Sequence, residues 1–195
     1  MNTHGSRSGF AASTSTRAPS SLDSALLTPE LLTERLYLRQ WRDEDAEPLA
    51  TIYAEPTFLE HMPPLDLEGT KAQIERFRRQ WTDEGFSHWA VEDRASGRLI
   101  GRIGLMRHRD WTLGGAPVEV GWSLDPEFWG RGLAGEGGRA SVEVWRERLP
   151  GEPQLISITS PANGRSRRVM EKLGLTLRGE TNWHGHDVVW YAVDR

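Results

Sequence analysis

Residues 128–140 read FWGRGLAGEGGRA, with glycine at 130, 132, 135, 137 and 138, and lead directly into SVEVWRERL. The second stretch has the spacing of a helix, yet glycine sits about 1 kcal/mol per residue below alanine in a helix interior. What such a run can do chemically is hold an anion. Glycines let the backbone come close to a ligand, and the unpaired amides at a helix start, with the helix dipole behind them, attract negative charge. Gly130, Gly132 and Gly135 match the dinucleotide fingerprint G-x-G-x-x-G, but that reading wants the first glycine directly after a strand and an acid at the end of the next strand. Here Asp125 to Trp129 intervene, and the next strand ends in Thr159-Ser160-Pro161. The phosphate loop of nucleotide hydrolases fails as well, because no Gly-Lys-Ser/Thr follows. The competing structural explanation is a turn that packs a helix tightly on a sheet, which suits Gly137 and Gly138. His184, His186 and Asp187, in WHGHD, invite a metal reading, and a hairpin turn accounts for them better.

The elements that must position this loop follow from periodicity. ERLYLRQW (34–41) alternates as a strand. Residues 43–55 open with acids suited to a helix N-terminus. Residues 67–85 place Ile74, Phe77 and Trp81 at helical spacing and end at Gly85. Residues 87–108 form two strands around a turn at Ala95-Ser96-Gly97, and 116–126 a strand stopped by Asp125-Pro126. A helix is predicted from Gly132 to Leu149, a strand over 154–160, and a helix from Asn163 to Leu173 with Asn163 as N-cap and Gly174 just past its end. LTLRGET and DVVWYAV close the chain as strands. Strands alternating with helices, with hairpins at both ends, predict a mixed α/β sheet flanked by helices.

Composition narrows the function classes. The 195 residues carry a net charge of −4, which lacks the electrostatic footprint of a general nucleic-acid binder. Without cysteine there is no disulfide, no thiolate metal site and no cysteine nucleophile. No apolar run approaches the length of a membrane span. Residues 1–28 are rich in Ser, Thr, Ala and Gly and are predicted to be a disordered tail, with residues 29–195 forming one domain. Arg7 and Arg17, with no acid before Asp23, give the tail some transit-peptide character. A flexible extension explains it more simply, and with no secretory segment the expected location is cytoplasmic.

The order strand EVGWSL, loop DPEFWGRGLA, amphipathic helix, strand, then NGRSRRVMEKLGL resembles the GNAT superfamily of acetyltransferases, and within it the branch that acetylates ribosomal-protein alanines. The resemblance runs from about Leu32 to Arg195. The family loop reads Gln/Arg-x-x-Gly-x-Gly/Ala; here it is Trp129-Gly130-Arg131-Gly132-Leu133-Ala134, with an aromatic residue at the first polar position, as this branch often shows. The resemblance implies a splayed sheet in which strands 118–124 and 154–159 run parallel and diverge. It implies acetyl-CoA as co-substrate in that wedge, its pantetheine arm on the backbone near Ser123 and Leu124. Its pyrophosphate would lie on the amides of Arg131, Gly132, Leu133, Ala134 and Gly135. Asn163 would contact the pantetheine or cap its helix, and Arg168, among Arg165, Arg167 and Arg168, is a candidate for the 3′-phosphate. No metal is implied.

Amine acetylation needs a neutral amine and a proton for the leaving thiolate. Glu119 alternates with Gly121 and Ser123 toward the wedge mouth and occupies the family's frequent acidic position, so it is the expected base, with Glu180 the second candidate. Many relatives use a tyrosine seven residues after the asparagine as acid; that position is Met170. The ribosomal branch often uses the serine three residues after it, here Ser166. Arg76 to Arg79 read as the wet face of their helix, and Trp41, Trp89, Trp111 and Trp183 as possible slot-lining residues. The function implied is direct acetyl transfer to a primary amine, whether a protein N-terminus or a small molecule. The alternatives are a catalytically silent acyl-CoA sensor and, further off, a Rossmann-type NAD protein.

Overall fold

The computed structural model describes residues 30–60 and 64–195. The predicted disordered tail, residues 1–28, lies outside them. Eight strands form one sheet: β1 (Leu31–Leu32), β2 (Leu36–Arg39), β3 (His88–Asp93), β4 (Leu99–Arg107), β5 (Val118–Leu124), β6 (Gln154–Thr159), β7 (Thr176–Trp183) and β8 (His186–Asp194). Their spatial order is β1-β2-β3-β4-β5-β6-β8-β7. Among the described residues five α-helices accompany them: α1 (Ala46–Tyr53), α2 (Pro56–Leu59), α3 (Leu67–Glu84), α4 (Leu133–Arg148) and α5 (Gly164–Lys172).

Alternation along the strands divides the core. One face packs Leu36, Ile103, Leu105, Val118, Val120 and Leu155 against α4 and α5 through Leu133, Val142, Trp145, Met170 and Leu173. The other face takes Leu49, Ile52 and Tyr53 of α1 with Ile74 and Phe77 of α3, around Trp41. A small third cluster joins Trp111 and Ile156 to Val188 and Ala192. Asp66 caps α3, its side chain accepting from the Gly69 amide at 2.8 Å, and Gly85 ends it in the left-handed region. Arg39 and Asp45, both buried, form a two-bond ion pair at 2.7 Å that ties the start of α1 to β2.

Every neighbouring pair of strands is antiparallel except β5 and β6. Those two are parallel and paired only at Val118↔Leu155 and Glu119↔Ile156. Beyond that point they part, so the expected splay is present. The predicted helix over 43–55 is instead a single 3-10 turn at Asp43–Asp45 followed by α1. The short elements β1 and α2 had no signal strong enough to predict them.

Candidate active site at the sheet fork

Loop 129–132 turns the chain from β5 into α4. Gly130 and Gly132 adopt φ of 77° and 81°, a backbone that side chains disfavour, so both are demanded by conformation. Gly137 and Gly138 serve packing, as expected: a Cβ at 137 would lie 2.5 Å from Ile103 Cδ1, and one at 138 would lie 2.8 Å from Leu173 Cδ1. The first backbone hydrogen bond of α4 runs from the Glu136 amide to Gly132 O at 3.0 Å. Among the described residues the amides of 131–135 have no acceptor within the chain. They form a row of unpaired donors at the positive end of a 16-residue helix.

A clamp that periodicity could not reveal holds this loop. Glu136 is buried and accepts from Thr33 Oγ1 at 2.6 Å, from the Arg35 amide at 2.8 Å and from Arg35 Nε at 2.7 Å. Burial alone would raise the Glu136 carboxyl, but the bonds from Thr33 and Arg35 outweigh it and hold the group below its ordinary value. Arg35 also donates to Arg131 O at 2.8 Å, and its Nη2 lies 3.7 Å from where a Gly132 side chain would begin. A cation therefore stands beside the free amides.

On β5, Val120 O accepts from Ser157 Oγ at 2.8 Å across the fork, while the Asp125 amide bonds Ile100 O on the β4 side. Strand backbone groups alternate in direction, so those of Trp122 and Leu124 face the fork and those of Ser123 face β4. Ser123 itself is buried. Leu124 O is already engaged by Trp129 Nε1 at 2.7 Å. Of the two residues expected to offer backbone, Ser123 thus turns its groups to β4 and Leu124 turns its own to the fork, as does Trp122. Arg165 lies over the Trp129 ring, 5.1 Å from its centroid.

Glu119 sits where the strands part. Its Oε1 accepts from the Ile158 amide at 3.2 Å, filling a ladder position that β6 loses as it leaves β5. Its Oε2 is 2.7 Å from His108 Nε2. The His108 ring in turn meets Trp183 edge-on at 4.6 Å, and Trp111 packs on Trp183. A carboxylate offers about four acceptor sites, so two such contacts leave room for an amine or a water. Glu180, the rival base, is exposed on β7. Trp89 is core and fully buried, and Trp41 spends its indole N–H on His88 O, whereas Trp183 packs on His108 and Trp111 on Trp183.

Asn163 caps α5, its Oδ1 accepting from the Ser166 amide at 3.0 Å. That leaves the Ser166 hydroxyl in the first turn, half-buried. Met170, at the tyrosine position, is fully buried in the core and takes no part in a site. Arg167 donates to Tyr191 Oη at 3.0 Å, whereas Arg168 is exposed and folds back over the start of α5, its Nη1 3.5 Å from the Gly164 Cβ position. His184 pairs with Asp110 at 2.8 Å in the β7–β8 turn, the hairpin arrangement expected for WHGHD.

Residues 35–176 match the acetyltransferase (GNAT) domain family. The chain belongs to that family. An uncharacterized N-acetyltransferase of Bacillus subtilis, YoaA, is 28% identical over 160 residues, 77% of this chain and 85% of its own. The acetyltransferase structure from Agrobacterium tumefaciens is 26% identical, superposes with a TM-score of 0.71 and covers 97% of this chain and all of its own. Two more distant structures share the fold. The ribosomal-protein-S5-alanine acetyltransferase of Vibrio fischeri is 17% identical, with TM-score 0.68, covering 85% of this chain and 96% of its own. The aminoglycoside acetyltransferase AAC(6′)-Ib, solved with coenzyme A, is 19% identical, with TM-score 0.68, covering 82% and 95%. Among the described residues no helix is long and apolar enough to cross a membrane.

Proposed function

We propose that this GNAT protein transfers the acetyl group of acetyl-CoA directly to a primary amine, with Glu119 as the base. The observation that carries the proposal is the setting of Glu119: a half-buried carboxylate at the fork, oriented on one oxygen by the Ile158 amide and on the other by His108. The amides of 131–135, with Arg35 beside them and Arg168 at the start of α5, suit the phosphates of coenzyme A. The bound co-substrate supplies a thioester, whose carbonyl carbon a neutral amine attacks.

The chain's own residues handle the protons. Glu119 takes one from the ammonium form of the acceptor, directly or through a water, and His108 fixes the carboxylate so that its free acceptor sites face the fork. Trp111 and Trp183 close the site around His108 and keep water from it. The Ser166 hydroxyl, free of the capping bond that its amide makes, is the donor available for the departing thiolate, and the proton that the attacking nitrogen sheds restores it. With no cysteine in the chain, a ternary complex is the economical route. A cytoplasmic location and independence of metal, nucleic acid and membrane complete the proposal.

The test is Glu119→Gln, which preserves size and the Ile158 bond and removes the proton acceptor. Coenzyme A release should fall by roughly two to four decades, with acetyl-CoA affinity, measured by calorimetry, nearly unchanged. Unaltered turnover at neutral pH would remove Glu119 from the mechanism.

A further inference from the structure

β4 and β5 are antiparallel neighbours, and a hairpin loop of about two to five residues usually joins such a pair. The chain takes residues 108–117 instead. The use of the extra length is visible in its contacts. Trp111 is buried with Ile156, Val188 and Ala192, and its ring meets Trp183 edge-on at 5.6 Å and Trp190 at 6.2 Å. Asp110 pairs with His184 at 2.8 Å. The hydroxyls of Thr112 and Thr181 stand 3.4 Å apart. All of these partners lie on β6, β7, β8 or the turn between the last two. By its chain the loop is part of the five-stranded side of the fork, β1 to β5. By these contacts it is part of the three-stranded side.

Its ends are pinned. The His108 amide donates to Pro117 O at 3.0 Å, Arg107 Nη1 donates to Ala116 O at 3.0 Å, and Arg109 bonds Glu84 on α3. Gly114, Gly115 and Ala116 take φ of 77°, 81° and 43°, a left-handed run that glycine adopts freely and alanine does not. A side chain at either glycine would meet nothing within 4 Å, so the tip stands in open space. The polar fastenings to the far side are weak. Asp110 and His184 are 57% and 61% exposed, and water screens a pair so placed. Hydroxyls 3.4 Å apart are at the edge of hydrogen bonding. The grip therefore rests chiefly on Trp111.

The loop starts at the partner of the base. His108, its first residue, holds Glu119 Oε2 at 2.7 Å and meets the Trp183 ring, with Trp111 behind it. The side chains of His108 and Glu119 are 10% and 13% exposed, so an acceptor larger than a water finds little of Glu119 to meet. We infer that residues 109–116 are a strap, buckled to the three-stranded side by Trp111, that lifts to admit the acceptor amine to Glu119 and closes for transfer. This rests on the amine-transfer reading and adds the step that lets the amine in. Lifting breaks the Trp111 packing and two weak polar contacts and leaves every strand pair intact, a local opening of the kind that gates many active sites. Gly114 and Gly115 supply the pivot.

The chain has no cysteine, so introduced thiols stand alone. In Thr112→Cys/Thr181→Cys the sulfurs replace oxygens 3.4 Å apart, near enough to close a disulfide of about 2.05 Å. The oxidised full-length variant should release coenzyme A, with an accepted amine, roughly tenfold or more slowly than the same sample after reduction. Acetyl-CoA affinity by calorimetry should be equal in the two forms. Equal turnover before and after reduction, or thiols that do not pair, overturns the strap. A second probe needs no turnover. Glu119→Cys sets a single thiol beneath the cover, and adding Trp111→Leu, which stays apolar and gives up the ring packing, should speed its alkylation by N-ethylmaleimide roughly tenfold or more. Acetyl-CoA affinity retained in that variant marks the gain as local, and an unchanged alkylation rate refutes the strap. If acetyl-CoA binds and no amine is acetylated, amine transfer fails on its own account, and the alkylation rates still decide the strap.

Discussion

Replacing Glu136 by Gln tests how the loop that leads into α4 is held. Four donors converge on this carboxylate: Thr33 Oγ1 at 2.6 Å, the Arg35 amide at 2.8 Å, Arg35 Nε at 2.7 Å and Arg35 Nη2 at 2.6 Å. The amide keeps the shape, removes the charge, and turns one acceptor oxygen into a donor facing the guanidinium. Hydrogen bonds to charged groups contribute about 1.5–3 kcal/mol against about 0.5–1.5 for neutral ones. The Arg35 side chain is 45% exposed, and water screens that part of the attraction. The expected net cost is about 2 kcal/mol, a fall in melting temperature of roughly 4–8 °C for a domain of this size. The pH dependence has a definite sign. Glu136 is held below its unfolded value, so its stabilisation is complete above the unfolded pKa, about 4.3, and is lost as pH falls through the lower folded value. Urea unfolding of both proteins at pH 7, 5 and 3.5 should therefore show a full deficit at the first two and a smaller one at the third. A deficit of equal size at pH 7 and pH 3.5 would refute the charge argument, and no deficit at all would refute the clamp. Acetyl-CoA affinity should fall severalfold at pH 7, because Arg35 also positions Arg131.

Gly132→Asp combines a left-handed φ of 81° with a carboxylate among the free amides, and calorimetry should show acetyl-CoA affinity reduced by at least tenfold, about 1.4 kcal/mol. Retained affinity would place the pyrophosphate elsewhere. Gly137→Ala should destabilise by about 1–2 kcal/mol, overpacking against Ile103 outweighing the helix propensity gained. Gly135→Ala, whose nearest neighbour is Arg139 Nη1 at 3.8 Å, should leave stability unchanged or raise it; unfolding curves showing the reverse order would overturn the packing argument. His88 is uncharged in the folded state and titrates normally when unfolded, so the protein should lose stability as pH drops below about 6.5. His88→Gln should flatten that slope between pH 6.5 and 5, and parallel profiles would show that His88 is not its source.

What the sequence revealed and what it hid divide along range. The alternation in β5, the helical spacing of Ile74, Phe77 and Trp81, and the Asn163 cap are local patterns, and the elements they predict are present. Glu119 was legible for the same reason, since its strand neighbours set its face. Its partner was not: His108 stands at the end of β4, and only the antiparallel register of β4 and β5 brings it alongside. The Glu136 clamp joins residues 101 and 103 positions apart, beyond any periodicity. Arg76 and Arg79, read as part of a solvated run, are exposed, whereas Arg78 from the same run is half-buried and bonds Asp43 at 2.8 Å.

The fork described above has a mechanical side. Two residue pairs, Val118↔Leu155 and Glu119↔Ile156, are all the strand pairing between a five-stranded leaf and a three-stranded one. Other contacts across the seam include Ser157 on Val120, Glu119 on Ile158, Leu173 against the bare backbone at Gly138, the His108–Trp183 ring contact and the bonds from Arg195 to the end of α4. A book with so short a spine is held partly by what lies between its pages. A ligand that reaches from the start of α4 to the start of α5 mortars the leaves together, and its binding free energy becomes cohesion of the sheet itself. Without it, β6 to β8 with α5 form the part that opens first to exchange with water or to a protease, so the cofactor's occupancy is recorded in the rigidity of the C-terminal leaf.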